Sequence, residues 1–224
     1  MDFGLAFSFA FKDPNWLKKI AIVSLVALIP ILGQIVVFGW ALQISKRVMN
    51  HDPNPLPDLD FGGDLTRGFM GIVIAFVYTL PISLFSGIIS FFSALLENSG
   101  GDETAVAIFS IVSVCLGLFS FIFGLIVGLL LPAALTRYLE KESIGAAFNF
   151  VEVFKKVQLN LGTYFIVLLG TIVAGFIAPL GLIACVIGVM LTYTYSLAIM
   201  GHFYGQAHLE ASKDKMVVEI PPAA

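Results

Sequence analysis

The sequence predicts an all-α fold, a polytopic helical membrane protein of about six membrane segments with two amphipathic helices on the membrane surface. Three observations predict it. The 224 residues are 58% hydrophobic and 12% charged, with a mean hydropathy of +0.97, more apolar surface than one water-soluble core of this size can hide. Residues 20–45, 68–96, 105–136 and 161–201 contain no Asp, Glu, Lys, Arg or His. Turn formers interrupt the first and last of these runs, at Pro30 and Gly33 and at Pro179 and Gly181, so both read as proline-broken hairpins.

Each element follows in order. Over residues 3–12, Phe3, Phe7, Ala10 and Phe11 recur at helical spacing and predict a short interfacial helix. Asp13-Pro14 then reads as an N-cap with proline in the first turn, and Trp16, Lys18 and Lys19 as an aromatic-basic interface anchor. Residues 16–47 could form one kinked helix or a broken hairpin. A single helix would run about 48 Å, well beyond a hydrocarbon core of roughly 30 Å. Residues 46–67 are a polar connection centred on His51-Asp52-Pro53-Asn54-Pro55-Leu56-Pro57-Asp58, with Asp64 placed to cap the next helix. Residues 68–96, with Pro81 at mid-depth as a kink, and residues 104–135, anchored by Arg137 and Tyr138, form a transmembrane pair around an acidic loop. Residues 143–159 form a second amphipathic helix on the inner leaflet. Its apolar face carries Ile144, Ala147, Phe148, Val151 and Phe154, continuing to Leu161, and its polar face Asn149, Glu152, Lys155, Lys156 and Gln158. Residues 161–204 are the last hairpin, and residues 211–224 a disordered cytoplasmic tail beyond a single membrane domain over 1–210.

Charge decides the topology, because cytoplasmic loops hold the Lys/Arg excess. If residues 16–47 are a hairpin, every Lys and Arg falls on one side of the membrane, with both termini cytoplasmic; if they cross once, Lys12, Lys18 and Lys19 are left outside. The hairpin is favoured. It also agrees with a degenerate internal repeat, since Gly4-Leu5-Ala6-Phe7-Ser8-Phe9 echoes Gly145-Ala146-Ala147-Phe148-Asn149-Phe150 and each is followed by a pass, a proline turn and a pass.

Little here suggests chemistry. Buried ionisable residues mark ion-coupled transport and intramembrane catalysis, and the uncharged runs hold none, so no enzyme, cofactor or metal is expected. The dispersed basic residues and net charge of -3 argue against nucleic acid. Asp52, Asp58, Asp60 and Asp64 beside His51 do not have the spacing of a calcium loop and read as a solvated loop. Small residues form the clearest pattern. Ser113, Gly117, Ser120, Gly124 and Gly128 share one helix face, as do Ser83, Gly87 and Ser90 on the preceding pass; such faces serve close packing within a bundle or association with another copy or another membrane protein. Near the end, Tyr195, Ser196, His202 and Gln206 gather as a polar face, either a vestibule or an interfacial set.

Several segments together carry a resemblance. The Gly4-x-Ala6-Phe7-x-Phe9 opening, Asp13-Pro14-Asn15-Trp16, Pro30-Ile31-Leu32-Gly33, Leu56-Pro57-Asp58 and His202-x-x-Gly205-Gln206 make residues 2–210 similar to the multi-pass prokaryotic membrane family called domain of unknown function 4013. The resemblance implies a bacterial or archaeal inner-membrane protein and brings no activity with it. The functional expectation is a non-enzymatic protein acting by association, as a homo-oligomeric scaffold or accessory subunit, with membrane lipids and itself or another membrane protein as partners. The alternative is a passive channel or carrier for a neutral or lipid-like solute built on the breaks at Pro30, Pro81 and Pro179.

Overall fold

A computed structural model of the chain describes residues 1–98 and 103–218, and among them every regular element is helical. The order is α1 (Phe3–Ser8) with a following 3₁₀ turn (Phe9–Lys12), α2 (Trp16–Val26), α3 (Leu32–Met49), α4 (Phe61–Asn98), α5 (Glu103–Lys141), α6 (Ile144–Ala147), α7 (Phe150–Leu159), α8 (Leu161–Leu180), a 3₁₀ turn (Gly181–Ala184) and α9 (Cys185–Val218). Among the described residues, three stretches are long and apolar enough to cross a membrane: Phe61–Leu96, Val106–Lys141 and Leu161–Ile183. Residues 16–47 are a hairpin. At 11 residues α2 rises about 16 Å, roughly half a hydrocarbon core. The turn at its tip passes through Ile31 at φ 63°, and Leu28, Ile29, Ile31 and Leu32 all face outward there, an apolar tip suited to lipid.

The chain divides into two compact units. The first comprises Met1–Ile74 and Leu129–Ala224, the second Ala75–Gly128. The first is organised around α9, which packs along α8 and α3 and more lightly on α2 and α1. Trp40, Ile44, Tyr164, Val167, Ile199 and Phe203 fill its interior with almost no exposure. Helix backbones approach closely at glycines. A methyl group on Gly39 would overlap the carbonyl oxygen of Asp64, one on Gly68 that of Ile35, and one on Gly201 that of Ala41. Gly170 leaves space for the Phe203 ring, the nearest carbon of which would stand 2.5 Å from a Cβ. In lipid, where no hydrophobic effect drives helices together, such contact supplies the attraction through dispersion.

The second unit is a helical hairpin. Its seam is built from large residues, with Phe85 edge-on to Phe119 at 5.3 Å, and an apolar crevice of about 520 Å³ opens between Ile88, Phe92, Leu96, Ile108, Phe109 and Val112.

Several boundaries differ from expectation. The amphipathic helix over residues 143–159 is two helices, because the Asn149 side chain accepts a hydrogen bond from the Glu152 backbone N–H and so starts α7 afresh. Asp60 caps α4: its carboxylate accepts from the Gly63 N–H at 3.2 Å, while Asp64 accepts from the Asp60 N–H at 3.0 Å. The α4 helix is unbroken at Pro81, as a proline kink allows. Pro179 lies in the last turn of α8, and the break falls one residue past Leu180. The tail expected to be disordered continues α9 as far as Val218; residues 219–224 lie outside those described.

Candidate functional site: the polar end of the first unit

The charged residues of the first unit converge on one end of its bundle. Lys19, at the start of α2, places its ammonium 2.8 Å from Asp13, 3.7 Å from Asp58 and 2.9 Å from the Leu56 carbonyl. The fully buried Trp40 of α3 donates its indole N–H to the Pro57 carbonyl at 3.1 Å. These bonds, with the Leu56 side chain inserted into the core, fasten the Leu56-Pro57-Asp58 segment across the opening of the α2–α3 hairpin. Lys46 at the end of α3 pairs with Glu142 at 2.5 Å, and Arg137 near the end of α5 pairs with Glu152 of α7 and donates to the Ala146 carbonyl at 3.3 Å. The hydrogen bond from Lys19 holds the Asp13 carboxyl below the ordinary carboxylate range against the opposing effect of burial, and Lys46 does the same for Glu142. The four loop acids do not converge: Asp52 accepts from the Asn54 N–H, Asp58 faces Lys19, Asp60 caps α4 and Asp64 holds Arg67 at 2.6 Å.

The polar face of α9 clasps the N-terminal segment. Gln206 accepts from the Asp2 N–H at 2.8 Å and donates to the Asp2 carbonyl at 3.0 Å, and its amide also lies 3.0 Å from His202 Nδ1. The Tyr195 hydroxyl donates to the Phe7 carbonyl. The buried His202 ring stacks on Phe9 at 4.4 Å. Ser196 faces away, donating to the Ala174 carbonyl of α8 at 2.5 Å. The structure therefore brings Tyr195, His202 and Gln206 together as a clasp and leaves Ser196 to an ordinary helix-helix bond. The buried face of the N-terminal segment is Ala6, Phe9 and Ala10, while Phe3 and Phe11 of the expected stripe stay exposed. Beside the clasp, a crevice of about 340 Å³ lies between Leu5, Phe9, Lys12, His202, Gln206 and the loop from His51 to Leu56.

Sequence reasoning misplaced Lys156. Expected on the solvated face of α7, it is only 7% exposed, and its ammonium lies 3.1 Å from His208 Nδ1 and 3.5 Å from the Thr136 hydroxyl. Glu140 stands 3.9 Å from the same His208 nitrogen. Asn160 donates to the Lys156 carbonyl at 2.9 Å, while its own side-chain oxygen is buried with no hydrogen-bond partner. This group joins α5, α7, α8 and α9 through polar atoms. The available signal was the spacing Val153, Lys156, Val157, which puts Lys156 on the packed face, while Phe150, Val151 and Phe154 point outward.

The small-residue stripes belong to the other unit. Gly87 and Gly117 have nothing within 4 Å of where a Cβ would stand, and Gly124 meets only the tip of Ile82 at 4.0 Å. Ser83 and Ser90 are exposed; the Ser113 and Ser120 hydroxyls are buried without a hydrogen-bond partner. Gly128 is half-buried. Gly87 and Gly117, with Ser83 and Ser90, therefore stand open, while Ser113, Ser120, Gly124 and Gly128 are partly covered. Of the helix breaks, Gly33 lies against the Val26 carbonyl and Gly181 against that of Gly188, each where a Cβ would collide, and Thr192 donates to the Ala178 carbonyl at 2.7 Å beside the second.

Long apolar helices and a bundle whose cations and loops are tied at one end define a helical membrane protein. The chain belongs to the family described as Protein of unknown function (DUF4013), whose model matches residues 22–187. No curated protein and no solved structure matches the chain. The matched region contains Pro30 to Gly33 and the Leu56-Pro57-Asp58 latch. The opening around Gly4, the Asp13 to Trp16 segment and the clasp residues His202 and Gln206 fall outside it, a narrower extent than the resemblance over residues 2–210 implied.

Proposed function

We propose that this protein acts by association within a prokaryotic cytoplasmic membrane, as a homo-oligomeric scaffold or as an accessory subunit of a larger membrane complex. The observation that carries the proposal is the open small-residue surface of the Ala75–Gly128 hairpin, where Gly87 and Gly117 leave room that no group of their own unit's seam occupies. Small faces of this kind let a second helix approach closely. A carrier draws less support, since the tips of both breaks present Leu28, Ile29, Ile31, Leu182 and Ile183 outward. A multi-pass topology with both termini in the cytoplasm is supported by the gathering of Lys19, Lys46, Arg137 and Lys156 at one end of the first unit.

The test uses the open space. Gly87→Leu and Gly117→Leu add bulk where nothing in the hairpin stands in the way, so each variant should still insert and fold. The native mass of the protein, extracted gently from its own membranes, should fall in the double variant. A mass that stays the same, whether the wild type is large or already monomeric, overturns the proposal.

A further inference from the structure

We infer that a crevice between the ends of α3, α4 and α5 binds the headgroup of a zwitterionic phospholipid, one carrying a phosphodiester and a primary amine. The crevice has a volume of about 350 Å³ and is lined by Lys46 of α3, Gly63, Thr66 and Arg67 of α4, and Tyr138 with Glu142 at the end of α5. That volume is the liquid share of about twelve waters, room for a phosphate and an amine together.

Depth brings it into contact with lipid. The uncharged run 68–96 begins at the residue after Arg67, and the run 105–136 ends two residues before Tyr138. Arg67 and Tyr138 therefore occupy the level at which aromatic and basic side chains meet headgroups.

Charge selects the kind of headgroup. Both cations already hold a carboxylate: Lys46 Nζ lies 2.5 Å from Glu142 Oε1, and Arg67 Nη1 lies 2.6 Å from Asp64 Oδ1. Asp64 is fully buried and supports one edge of the guanidinium, leaving the remaining N–H groups of Arg67 for a ligand. Glu142 is by contrast 73% exposed and free to swing. An anionic headgroup that drew Lys46 to itself would leave the Glu142 carboxylate uncompensated beside a second negative charge. A zwitterion exchanges partners instead. Its phosphate takes Lys46 and Arg67, its ammonium takes Glu142, and the four protein charges stay balanced throughout. A quaternary amine has no N–H to give Glu142, so a primary amine is preferred over choline.

The experiment places the full chain in nanodiscs of equal parts dioleoyl phosphatidylethanolamine, phosphatidylglycerol and phosphatidylcholine, then counts retained lipids by native mass spectrometry. Ethanolamine lipid should be retained several-fold over the other two. Glu142→Gln, at an exposed position, should abolish that preference while leaving glycerol lipid bound. Lys46→Gln should lower retention of both. Equal retention of the three lipids by the wild type overturns the inference, and so does a preference that survives Glu142→Gln. Soluble glycerophosphoethanolamine at millimolar concentration should fail to displace the lipid; displacement would assign the crevice to a free phosphate ester and overturn the lipid assignment.

Discussion

Gly39 and Gly68 stand against each other's helix at backbone distance, whereas Gly87 and Gly117 stand against nothing. The contrast makes a direct prediction. Gly39→Ala or Gly68→Ala must push α3 and α4 apart, at a cost of about 1–3 kcal/mol or more, the range for overpacked interiors. Gly87→Ala should stay within about 1 kcal/mol of the wild type, since it only exchanges helix propensity. Thermal midpoints in detergent check both, and comparable losses at Gly39 and Gly87 would contradict the packing described. Regular spacing in the sequence does not single out Gly39 and Gly68, because it reports a face and cannot report which face another backbone approaches. Lys156 was misjudged for a related reason. Its charge suggested solvent, while the neighbouring Val153 and Val157 placed it in the packed face, where Thr136 and His208 receive its ammonium.

At the scale of elements, the helical spans were legible wherever charge was absent over a long run, as in α4, α5 and α8. The division between α6 and α7 was also written in the chain, as Asn149 followed three residues later by Glu152, a capping signature that the amphipathic pattern masked. The latch of residues 56–58 was not legible, since no spacing rule pairs the Trp40 indole with the Pro57 carbonyl. The start of α2 offers a test by pH. The Asp13 carboxyl is held below its ordinary range chiefly by the Lys19 hydrogen bond, so its contribution is complete above the unfolded value near pH 4 and is lost as pH falls through the lower folded value. Asp13→Asn should lower the thermal midpoint at pH 7 and make the protein less sensitive to pH in the acid limb. An unchanged difference between the two proteins down to pH 2 would show that the pair does not link α2 to the fold.

At the scale of the whole molecule, α2 begins and α3 ends among ion pairs, at Lys19 with Asp13 and at Lys46 with Glu142, and charge counting would put both on the cytoplasmic side. Single cysteines at Lys18 and Lys141 should therefore react with an impermeant thiol reagent from the same side of the membrane, the cytoplasmic one, in a background where Cys115 and Cys185 are serine. A cysteine at Ile31, on the apolar tip of the hairpin, should react from neither side. Labelling of residue 18 from outside would restore the single-crossing topology.

The clasp on Asp2 also sets an order of events in biosynthesis. The two backbone groups of Asp2 find their partner in Gln206, 204 residues later in the chain. Residues 2–12 leave the ribosome well before α9 and must wait for Gln206 and Ala198 until that helix has been made and inserted. Nascent chains halted before Gln206 should thus display residues 2–12 open to proteases and to chaperones, and chains that include all of α9 should close them. A segment translated early is thus among the last to reach its place.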